Sequence, residues 1–272
     1  MMLSISKDTR LCMSLSGRPG NFGTRFQNYL YRELQLDYLY KAFTTTDLPA
    51  AIGGIRALGV RGCAVSMPFK EACIKHLDAL HESAATLQSV NTIVADDGHL
   101  TGYNTDYSAV VRLLKQHGVP EDSRYALRGS GGMAKAVACA LRDSGFSDGC
   151  IVARNEPAGR ALAAQCGVGW CETQDDQPAQ LLVNVTPLGM RGADAEQMAF
   201  DELAVAAAHW VFDVVAVPVE TPLIHLARAL GKPVITGGEV IVLQAVEQFV
   251  LYTGVRPDAE LIERAARFAL TE

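Results

Sequence analysis

Short apolar runs alternate with helix-like segments along almost the whole chain of 272 residues. The run "GCAVSM" leads into "KEACIKHLDAL", and "DYLYKAF" leads into "DLPAAIGGIRALG". This alternation is typical of β-α-β units built around a largely parallel sheet. Because a chain of this length can bury two modest cores, we predict an α/β fold with two domains.

Two features modify the simple alternation. The stretch "SVNTIVADDGHLTGYNTD" holds two strand-like runs on either side of Asp97-Gly98, which predicts an antiparallel hairpin. A second series of alternating elements begins with "RYALRGSGGMAKA". The pattern predicts two long apolar helices near the end of the chain, at Glu239–Tyr252 and Pro257–Ala269.

Charge and composition exclude several classes of function. The formal net charge is −6 and no basic run is present, so a nucleic-acid partner is not expected. No stretch approaches the roughly 18 apolar residues of a membrane helix, and the first residues lack the features of a signal peptide. The seven cysteines are scattered singly, and nothing completes a zinc site around Cys166 and Cys171. We therefore expect a cytoplasmic protein with reduced thiols and no metal.

A glycine turn opens the second series. In "LRGSGGMAKA", Gly129, Gly131 and Ala134 have the spacing of a dinucleotide-binding fingerprint between a strand and a helix. Gly129 permits the tight turn, Gly131 lets the backbone approach a pyrophosphate, and Ala134 allows close packing of the helix. The candidate cofactor contacts in this turn are Gly129, Ser130, Gly131, Gly132, Met133 and Ala134.

The next strand ends in "IVARN", where the adenosine ribose of a dinucleotide is expected. Arg154 and Asn155 stand there, and a guanidinium matches a 2′-phosphate in charge and in geometry. The sequence therefore favours NADP over NAD. Glu156, one residue later, leaves NAD open as the alternative, because a carboxylate can accept hydrogen bonds from both ribose hydroxyls.

Seven segments together resemble the shikimate dehydrogenase family. In chain order they are "VSMPFK", "VNTI", "GYNTD", "GSGGMA", "NVTPLGM", "FDVVAVPVETPL" and "GGEVIVLQA". The resemblance implies a substrate and catalytic domain at 1–105 with 239–272 and a Rossmann-type cofactor domain at 106–238, with the active site in a cleft between them. It also implies reversible hydride transfer between NADP(H) and shikimate/3-dehydroshikimate, a reaction of aromatic amino acid biosynthesis.

The resemblance assigns roles residue by residue. The family's catalytic lysine and aspartate fall on Lys70 and Asp106. The substrate contacts fall on Ser66, Asn91 and Gln244, and the positions lining the nicotinamide are Asn184, Thr186, Val214 and Gly237.

The chemistry calls for residues of this kind. Oxidising a secondary alcohol removes a hydride from carbon and a proton from oxygen; nicotinamide takes the hydride, so a protein group takes the proton. Either Lys70 or Asp106 can carry that proton. Taken singly, Lys70 reads as a surface residue and Asp106 as the N-cap of the following helix.

The recognition side of the site departs from the family pattern. Shikimate dehydrogenases hold the substrate carboxylate with a serine pair in S-x-S-P followed by x-x-H-N, and this chain reads "NFGTRFQN" there. Asn21 and Gly23 stand in place of the serines, Gln27 in place of the histidine, and Ala216 in place of a later tyrosine. The departures resemble the shikimate dehydrogenase-like subgroup.

Several readings of these departures stay open. Each lost hydrogen bond to a charged group weakens binding by roughly 1.5–3 kcal/mol, so specificity can change while the hydride machinery stays. The substrate is then shikimate, a related hydroxylated cyclohexene carboxylate such as quinate, or an amino-shikimate. Arg18 and Arg25 are alternative carboxylate ligands, and a non-catalytic NADP-binding sensor is the rival without turnover. The sequence allows a monomer or a homodimer.

Overall fold

The structure is a computed structural model that describes residues 5–173 and 178–271. The chain divides into two compact units, Met1–Thr105 with Val242–Glu272 and Asp106–Ile241. The roles expected for the two domains, substrate binding for one and cofactor binding for the other, stay predictions. None of the helices in the described residues combines the length and the apolar character that a membrane span needs.

The first unit contains a mixed six-stranded sheet in the order β2-β1-β3-β5-β6-β4. Its strands are β1 (Arg10–Leu15), β2 (Tyr38–Phe43), β3 (Gly62–Val65), β4 (Ala79–Leu80), β5 (Thr92–Asp96) and β6 (His99–Tyr103). β1 runs parallel to β2 and β3, while β5 is antiparallel to both β3 and β6. The β5–β6 hairpin is the one predicted from Asp97-Gly98. Both turn residues have positive φ, 48° and 82°, as a two-residue type I′ turn requires.

Helices cover both faces of this sheet. They are α1 (Phe22–Glu33), α2 (Leu48–Ala57), α3 (Phe69–Ala72), α4 (Glu82–Ala85), the part of α10 (Gly237–Thr253) from Val242 onward, and α11 (Ala259–Leu270). On one face, Leu30 and Tyr31 of α1 are buried against Phe249 and Tyr252 of α10. This face therefore joins residues from the two ends of the chain in one core.

The helix predicted over Lys70–Leu80 is wrong in its length. α3 ends at Ala72, a 3₁₀ turn follows at Ile74–His76, and Ala79–Leu80 form β4, which pairs with β6. The side chain of Asp78 accepts hydrogen bonds from Leu100 N (2.7 Å) and from Arg56 (2.7 Å). These contacts with residues distant in sequence hold the segment in an extended conformation that its local pattern does not indicate.

The second unit contains a six-stranded sheet in the order β12-β11-β10-β7-β8-β9, and every strand pair described in it is parallel. Its strands are β7 (Tyr125–Arg128), β8 (Gly149–Val152), β9 (Gly169–Cys171), β10 (Leu181–Asn184), β11 (Trp210–Asp213) and β12 (Val234–Thr236). Its helices are α5 (Thr105–His117), α6 (Gly132–Asp143), α7 (Glu156–Cys166), α8 (Glu202–Ala207) and α9 (Pro222–Ala229).

The strand order of the second sheet reverses at β7, which has β10 on one side and β8 on the other. In open α/β sheets, ligands bind beyond the carboxyl ends of the strands at such a switch point. Gly129 follows the last residue of β7 directly. The fold thus positions the predicted glycine turn at the favoured ligand position of its own sheet, and the α/β prediction is confirmed.

Candidate active site

Lys70 and Ser66 lie where β3 gives way to α3. The Met67–Pro68 peptide bond is cis, and Ser66 O accepts a hydrogen bond from Phe69 N at 2.9 Å. Lys70 is the second residue of α3 and is half-buried, with its carbonyl oxygen 2.8 Å from Val90 N. These backbone bonds fix the first turn of α3 against the residues that precede β5.

Asn91 is bonded through its backbone to the same strand end, since Val65 N donates to Asn91 O at 2.7 Å. Its side chain is 2% exposed and nearly saturated with hydrogen bonds. The Oδ1 atom accepts from Thr105 N (2.8 Å) and Thr92 Oγ1 (2.8 Å), while Nδ2 donates to Thr105 Oγ1 (3.0 Å). A buried amide with this many partners keeps one orientation, because losing any partner leaves a buried polar atom without a hydrogen bond.

Gln244 reaches this network from α10. Asn91 Nδ2 donates to Gln244 Oε1 at 3.3 Å, and one helical turn later Gln248 Nε2 donates to Thr92 Oγ1 at 3.1 Å. The structure therefore brings together, within the first unit, Ser66, Lys70, Asn91 and Gln244, four of the residues predicted to form the site.

Asn21 precedes the first residue of α1 and is exposed, and its side chain makes no capping hydrogen bond. Two residues on, a Cβ atom on Gly23 would lie 3.4 Å from the Tyr40 hydroxyl, so a tyrosine occupies the space beside the first turn of α1. Asn28 joins α1 to β2 through hydrogen bonds to Tyr40 N (2.9 Å) and Tyr40 O (2.8 Å).

Arg25 does not fit the predicted alternative of a carboxylate ligand. Its guanidinium donates to Phe268 O at 2.6 Å and lies over the Phe268 ring, 4.5 Å from the centroid. Arg18 is exposed, so of the two arginines it alone remains a candidate.

Asp106 is the second residue of α5 and is 4% exposed. Because the helix begins at Thr105, Asp106 lies inside its first turn and is not the residue that precedes it. The preceding residue, Thr105, is held by Asn91 through both its backbone and its hydroxyl within the first unit.

The glycine turn at the end of β7 contains two kinds of glycine. Gly129 has φ +129°, and a Cβ atom there would lie 2.8 Å from Val185 Cγ2, so the fold itself requires glycine. Gly131 has φ −82°, and a Cβ atom there would meet nothing within 4 Å. No contact within the fold requires glycine at position 131, but a ligand that contacts the backbone there would require it.

This open space fits a dinucleotide. The amide groups of the first turn of α6 face it, and a helix N-terminus attracts phosphate. A Cβ atom on Gly132 would likewise have no neighbour within 4 Å. Ser130 and Met133 are partly exposed, while Ala134 is buried beneath the turn. The residues present therefore fit the pyrophosphate of NADP or NAD.

At the end of β8 the charged residues have separate partners. Glu156 accepts from Arg160 Nε at 2.8 Å, and the Arg160 guanidinium lies over Trp170. Asn155 caps α7 by accepting from Ala158 N at 3.1 Å, and Arg154 is exposed beside it. Glu156, the residue that leaves NAD open, is thus engaged in a surface ion pair.

Asn184 and Thr186 form a tight loop after β10. Asn184 Oδ1 accepts from Thr186 Oγ1 (2.6 Å) and Thr186 N (3.0 Å), while its Nδ2 donates to Asp213 Oδ1 (3.0 Å). Val214 N donates to Asn184 O at 3.0 Å. A Cβ atom on Gly237 would lie 2.4 Å from Val214 O, so all four predicted nicotinamide-side residues are grouped at one edge of the second sheet.

Comparison with known proteins identifies the family. Residues 22–93 match the sequence profile of the shikimate dehydrogenase substrate binding domain. A shikimate dehydrogenase-like protein of Haemophilus influenzae is 55% identical over 269 residues, which cover 98% of this chain and 99% of the relative. The chain belongs to the shikimate dehydrogenase family.

Solved structures of this family have the same fold. A shikimate 5-dehydrogenase-like protein superposes with a TM-score of 0.95 at 55% identity, covering 98% of this chain and all of the other. The shikimate 5-dehydrogenase of Thermus thermophilus, solved in complex with NADP(H) and shikimate, superposes with a TM-score of 0.85 at 29% identity. That alignment covers 96% of this chain and 99% of the other.

Some residues that support the site were missed by the sequence interpretation. Gln248 lies four residues after Gln244, a spacing that places both on one helix face and could have indicated it. Thr105, Asp213 and Thr221 carried no such signal, because their importance comes from partners far along the chain. Among the described residues, no group of three His, Cys, Asp or Glu side chains could hold a metal ion.

Asp213 gives the cofactor-side loop a pH-dependent stability. Its carboxylate is fully buried and accepts from Thr221 Oγ1 (2.7 Å), Val215 N (3.0 Å) and Asn184 Nδ2 (3.0 Å). Burial raises the pKa of Asp213 from 3.8 to about 6, against the lowering effect of these three donors. The folded state therefore holds this proton more tightly than the unfolded chain does.

We expect the Asp213 contribution to stability to fall as the pH rises from about 4 to about 6, by up to about 3 kcal/mol. The Asp213→Asn variant lacks this titration. The unfolding free energy of the wild type should therefore fall, relative to that of the variant, as the pH rises over that range. Urea unfolding at pH 4, 5, 6 and 7 measures it. A difference that stays constant across the series would contradict the assignment.

Proposed function

We propose that the protein is an NADP-dependent oxidoreductase that transfers hydride reversibly between NADP(H) and shikimate/3-dehydroshikimate or a closely related hydroxylated cyclohexene carboxylate. Support comes from membership of the family and from the Thermus thermophilus relative solved with NADP(H) and shikimate. The open space above Gly131 supports the dinucleotide.

Asp106 carries the enzyme proposal most directly. Asp106 is 4% exposed, and a binding protein without turnover has no need for both Lys70 and Asp106. Within the first unit, Asn91 is fixed by Thr105 and meets Gln244, so two predicted substrate contacts are already oriented. This arrangement favours an enzyme over a sensor of cofactor or metabolite.

In the proposed mechanism, the glycine turn at Gly129–Ala134 and the group Asn184, Thr186, Val214 and Gly237 would hold NADP, which when bound would supply the hydride acceptor for the carbon that carries the reacting hydroxyl. Lys70 and Asp106 take the proton from that hydroxyl and return it when the reaction runs in reverse. Asn91 and Gln244 hold the substrate's ring hydroxyls through amide groups that are already oriented, and Ser66 adds a hydroxyl beside them. Preorganised polar groups of this kind reduce the reorganisation needed at the reacting centre.

The carboxylate end of the substrate is held differently in this proposal. Asn21 supplies an amide where the family pattern has a serine, and Gly23 leaves the neighbouring position to the Tyr40 ring. Two lost hydroxyl donors predict weaker binding of shikimate than in relatives with the serine pair. The catalytic residues are unaffected by this change, so we expect weak binding of shikimate together with an intact hydride-transfer step.

A substrate panel tests the proposal. Purified protein is assayed with NADP⁺ and NAD⁺ against shikimate, quinate and an amino-substituted shikimate, with reduced cofactor recorded at each concentration. We expect turnover with NADP⁺ and shikimate or a close analogue, with a high KM. Absence of hydride transfer from every alcohol to either cofactor would refute the enzyme assignment and leave the sensor.

Arg154 is proposed to contact the 2′-phosphate from the end of β8. The Arg154→Ala variant should raise the KM for NADP⁺ by about tenfold or more and that for NAD⁺ by less than about twofold, because a charge-assisted hydrogen bond contributes roughly 1.5–3 kcal/mol. Steady-state kinetics with both cofactors measure this. Equal changes in the two KM values would mean that Arg154 does not recognise the phosphate.

A further inference from the structure

A second arginine lies beside the proposed 2′-phosphate position, at the end of the neighbouring strand. Arg128 is the last residue of β7, directly before Gly129, and pairs in register with Val152 on β8. Arg154 follows Val152 by two residues. Because β7 and β8 are neighbouring strands about 4.8 Å apart, Arg128 and Arg154 both lie at the carboxyl edge where the dinucleotide is expected, with Arg154 two residues beyond the partner of Arg128.

The side chain of Arg128 is an exception within its strand. Tyr125, Ala126 and Leu127 are buried apolar or aromatic residues, and Arg128 alone is half-exposed. Its guanidinium donates to Ala199 O and lies 6.0 Å from the centroid of the Phe200 ring. Among the described residues, Arg128 is thus bonded to a carbonyl and lies near an aromatic ring, and the Asp201 carboxylate of the same pocket attracts its charge.

Arg128 opens onto a pocket of about 560 Å³ within the second unit, a volume in the range of small-molecule sites. The residues that line it are Arg128, Thr173, Met198, Phe200, Asp201 and Glu202. Met198 and Phe200 provide an apolar wall. Asp201 is committed to capping α8, where it accepts from Ala204 N at 2.8 Å.

The electrostatics of the two strand ends favour an anion. Partial burial and the positive charge of Arg154 both lower the pKa of Arg128, while the carboxylate of Asp201 raises it. Two guanidinium groups close enough to repel one another are stabilised together by an anion that both can contact. The pocket carboxylates oppose a phosphate, so the strand-end arginines have to supply the attraction.

We propose that Arg128 is a second cationic contact for the 2′-phosphate of NADP, beside Arg154, and helps to set the preference for NADP over NAD. The inference rests on the proposed function in that it takes NADP as the cofactor. It identifies a residue that lies outside the glycine fingerprint and outside the ribose-binding end of β8. The Phe200 ring lies near the guanidinium and Ala199 O takes an Nη1 donor, which leaves the remaining N–H groups for the phosphate.

Calorimetric binding tests this on the full chain. Dissociation constants are measured for NADP⁺, NAD⁺, 2′,5′-ADP and 5′-AMP with wild type, Arg128→Met, Arg128→Lys and Arg128→Gln. The last two ligands differ by the 2′-phosphate alone. The control is Arg228→Met, which removes an exposed arginine of α9 that pairs with Glu220 at 3.3 Å.

Arg128→Met should weaken NADP⁺ and 2′,5′-ADP on the order of 10- to 100-fold, with less than about a twofold change for NAD⁺ and 5′-AMP. Arg128→Lys should recover part of the loss because it keeps the charge, and Arg228→Met should change none of the four constants. If Arg128→Met does not fold, as judged by thermal unfolding, Arg128→Gln and Arg128→Lys carry the comparison.

The outcomes separate the inference from the proposed function. A wild type that binds NADP⁺ no more tightly than NAD⁺ would overturn the proposed cofactor, and this inference with it. A wild type that prefers NADP⁺, with Arg128 variants that keep the same preference, would overturn the inference alone. Equal weakening of all four ligands would likewise overturn it, because Arg128 would then only hold the Ala199–Phe200 segment in place.

Discussion

Replacing Lys70 with alanine should reduce kcat with NADP⁺ and the best alcohol substrate by roughly 10²- to 10⁴-fold, the range of a positioned acid–base group. The residue is half-buried, and its backbone is fixed by the Val90 hydrogen bond, so the truncation removes an amine and leaves the turn in place. Dissociation constants for NADP⁺ should stay within about twofold of wild type, because no part of the proposed cofactor site lies in α3.

The matched control is Lys75→Ala, which removes an exposed lysine from the 3₁₀ turn five residues later. It should leave kcat unchanged. The kcat of an Asp106→Asn variant should be reduced by a factor in the same range as that of Lys70→Ala. The kcat of the double variant should be only slightly lower, because two residues that move one proton act as a unit. Full activity in Lys70→Ala would remove the lysine from the mechanism while leaving the fold and cofactor site intact.

Adding one methyl group at Gly131 should separate ligand binding from folding. A Cβ atom there meets no protein atom within 4 Å and the backbone φ is −82°, so Gly131→Ala should unfold at nearly the wild-type urea concentration. The same methyl group occupies the space that a pyrophosphate needs at the N-terminus of α6. We expect the affinity for NADP⁺ to fall on the order of tenfold or more.

Gly129→Ala provides the opposite result two residues earlier. Its backbone φ of +129° suits glycine, and the new Cβ would lie 2.8 Å from Val185 Cγ2 and 3.1 Å from Val185 O. We expect a loss of about 1–3 kcal/mol in unfolding free energy. Urea unfolding and calorimetric titration of NADP⁺ on both variants measure the contrast. Unchanged NADP⁺ binding by Gly131→Ala would argue against a dinucleotide at this turn.

Local patterns predicted the main architecture. The alternation of strands and helices, the hairpin at Asp97-Gly98 and the turn at Gly129 each depend on neighbouring residues, whose backbone preferences can be read in sequence. The resemblance to the family added the grouping of Ser66, Lys70, Asn91 and Gln244, which no local pattern contains.

What sequence could not provide depends on distant partners. β4 is only two residues long and exists because Ala79 and Leu80 pair with β6, while Asp78 is bonded to Leu100 and Arg56. Asp213 resembles an ordinary strand-end carboxylate in sequence, but its burial in the fold raises its pKa, against the hydrogen bonds from Thr221 and Asn184.

Arg128 is the third feature, after β4 and Asp213, that the sequence alone could not provide. Next to the glycine turn it reads as an ordinary basic residue at the end of an apolar strand. Its register pairs it with Val152, two residues before Arg154, and its guanidinium lies near Phe200; both relations follow from tertiary structure. Electrostatic relations between strand ends therefore emerge only once the order of the strands in the sheet is known.

Hydride transfer between NADP⁺ and a hydroxylated cyclohexene carboxylate is tested most directly by an isotope experiment. Wild-type protein is incubated with NADP⁺ and, in turn, each alcohol of the substrate panel carrying deuterium on the carbon whose hydroxyl is oxidised, and the recovered cofactor is analysed by mass spectrometry. We predict reduced cofactor that carries the deuterium, formed at an initial rate roughly 10²- to 10⁴-fold lower with Lys70→Ala. Reduced cofactor without the label, or no reduced cofactor at all, would contradict the account.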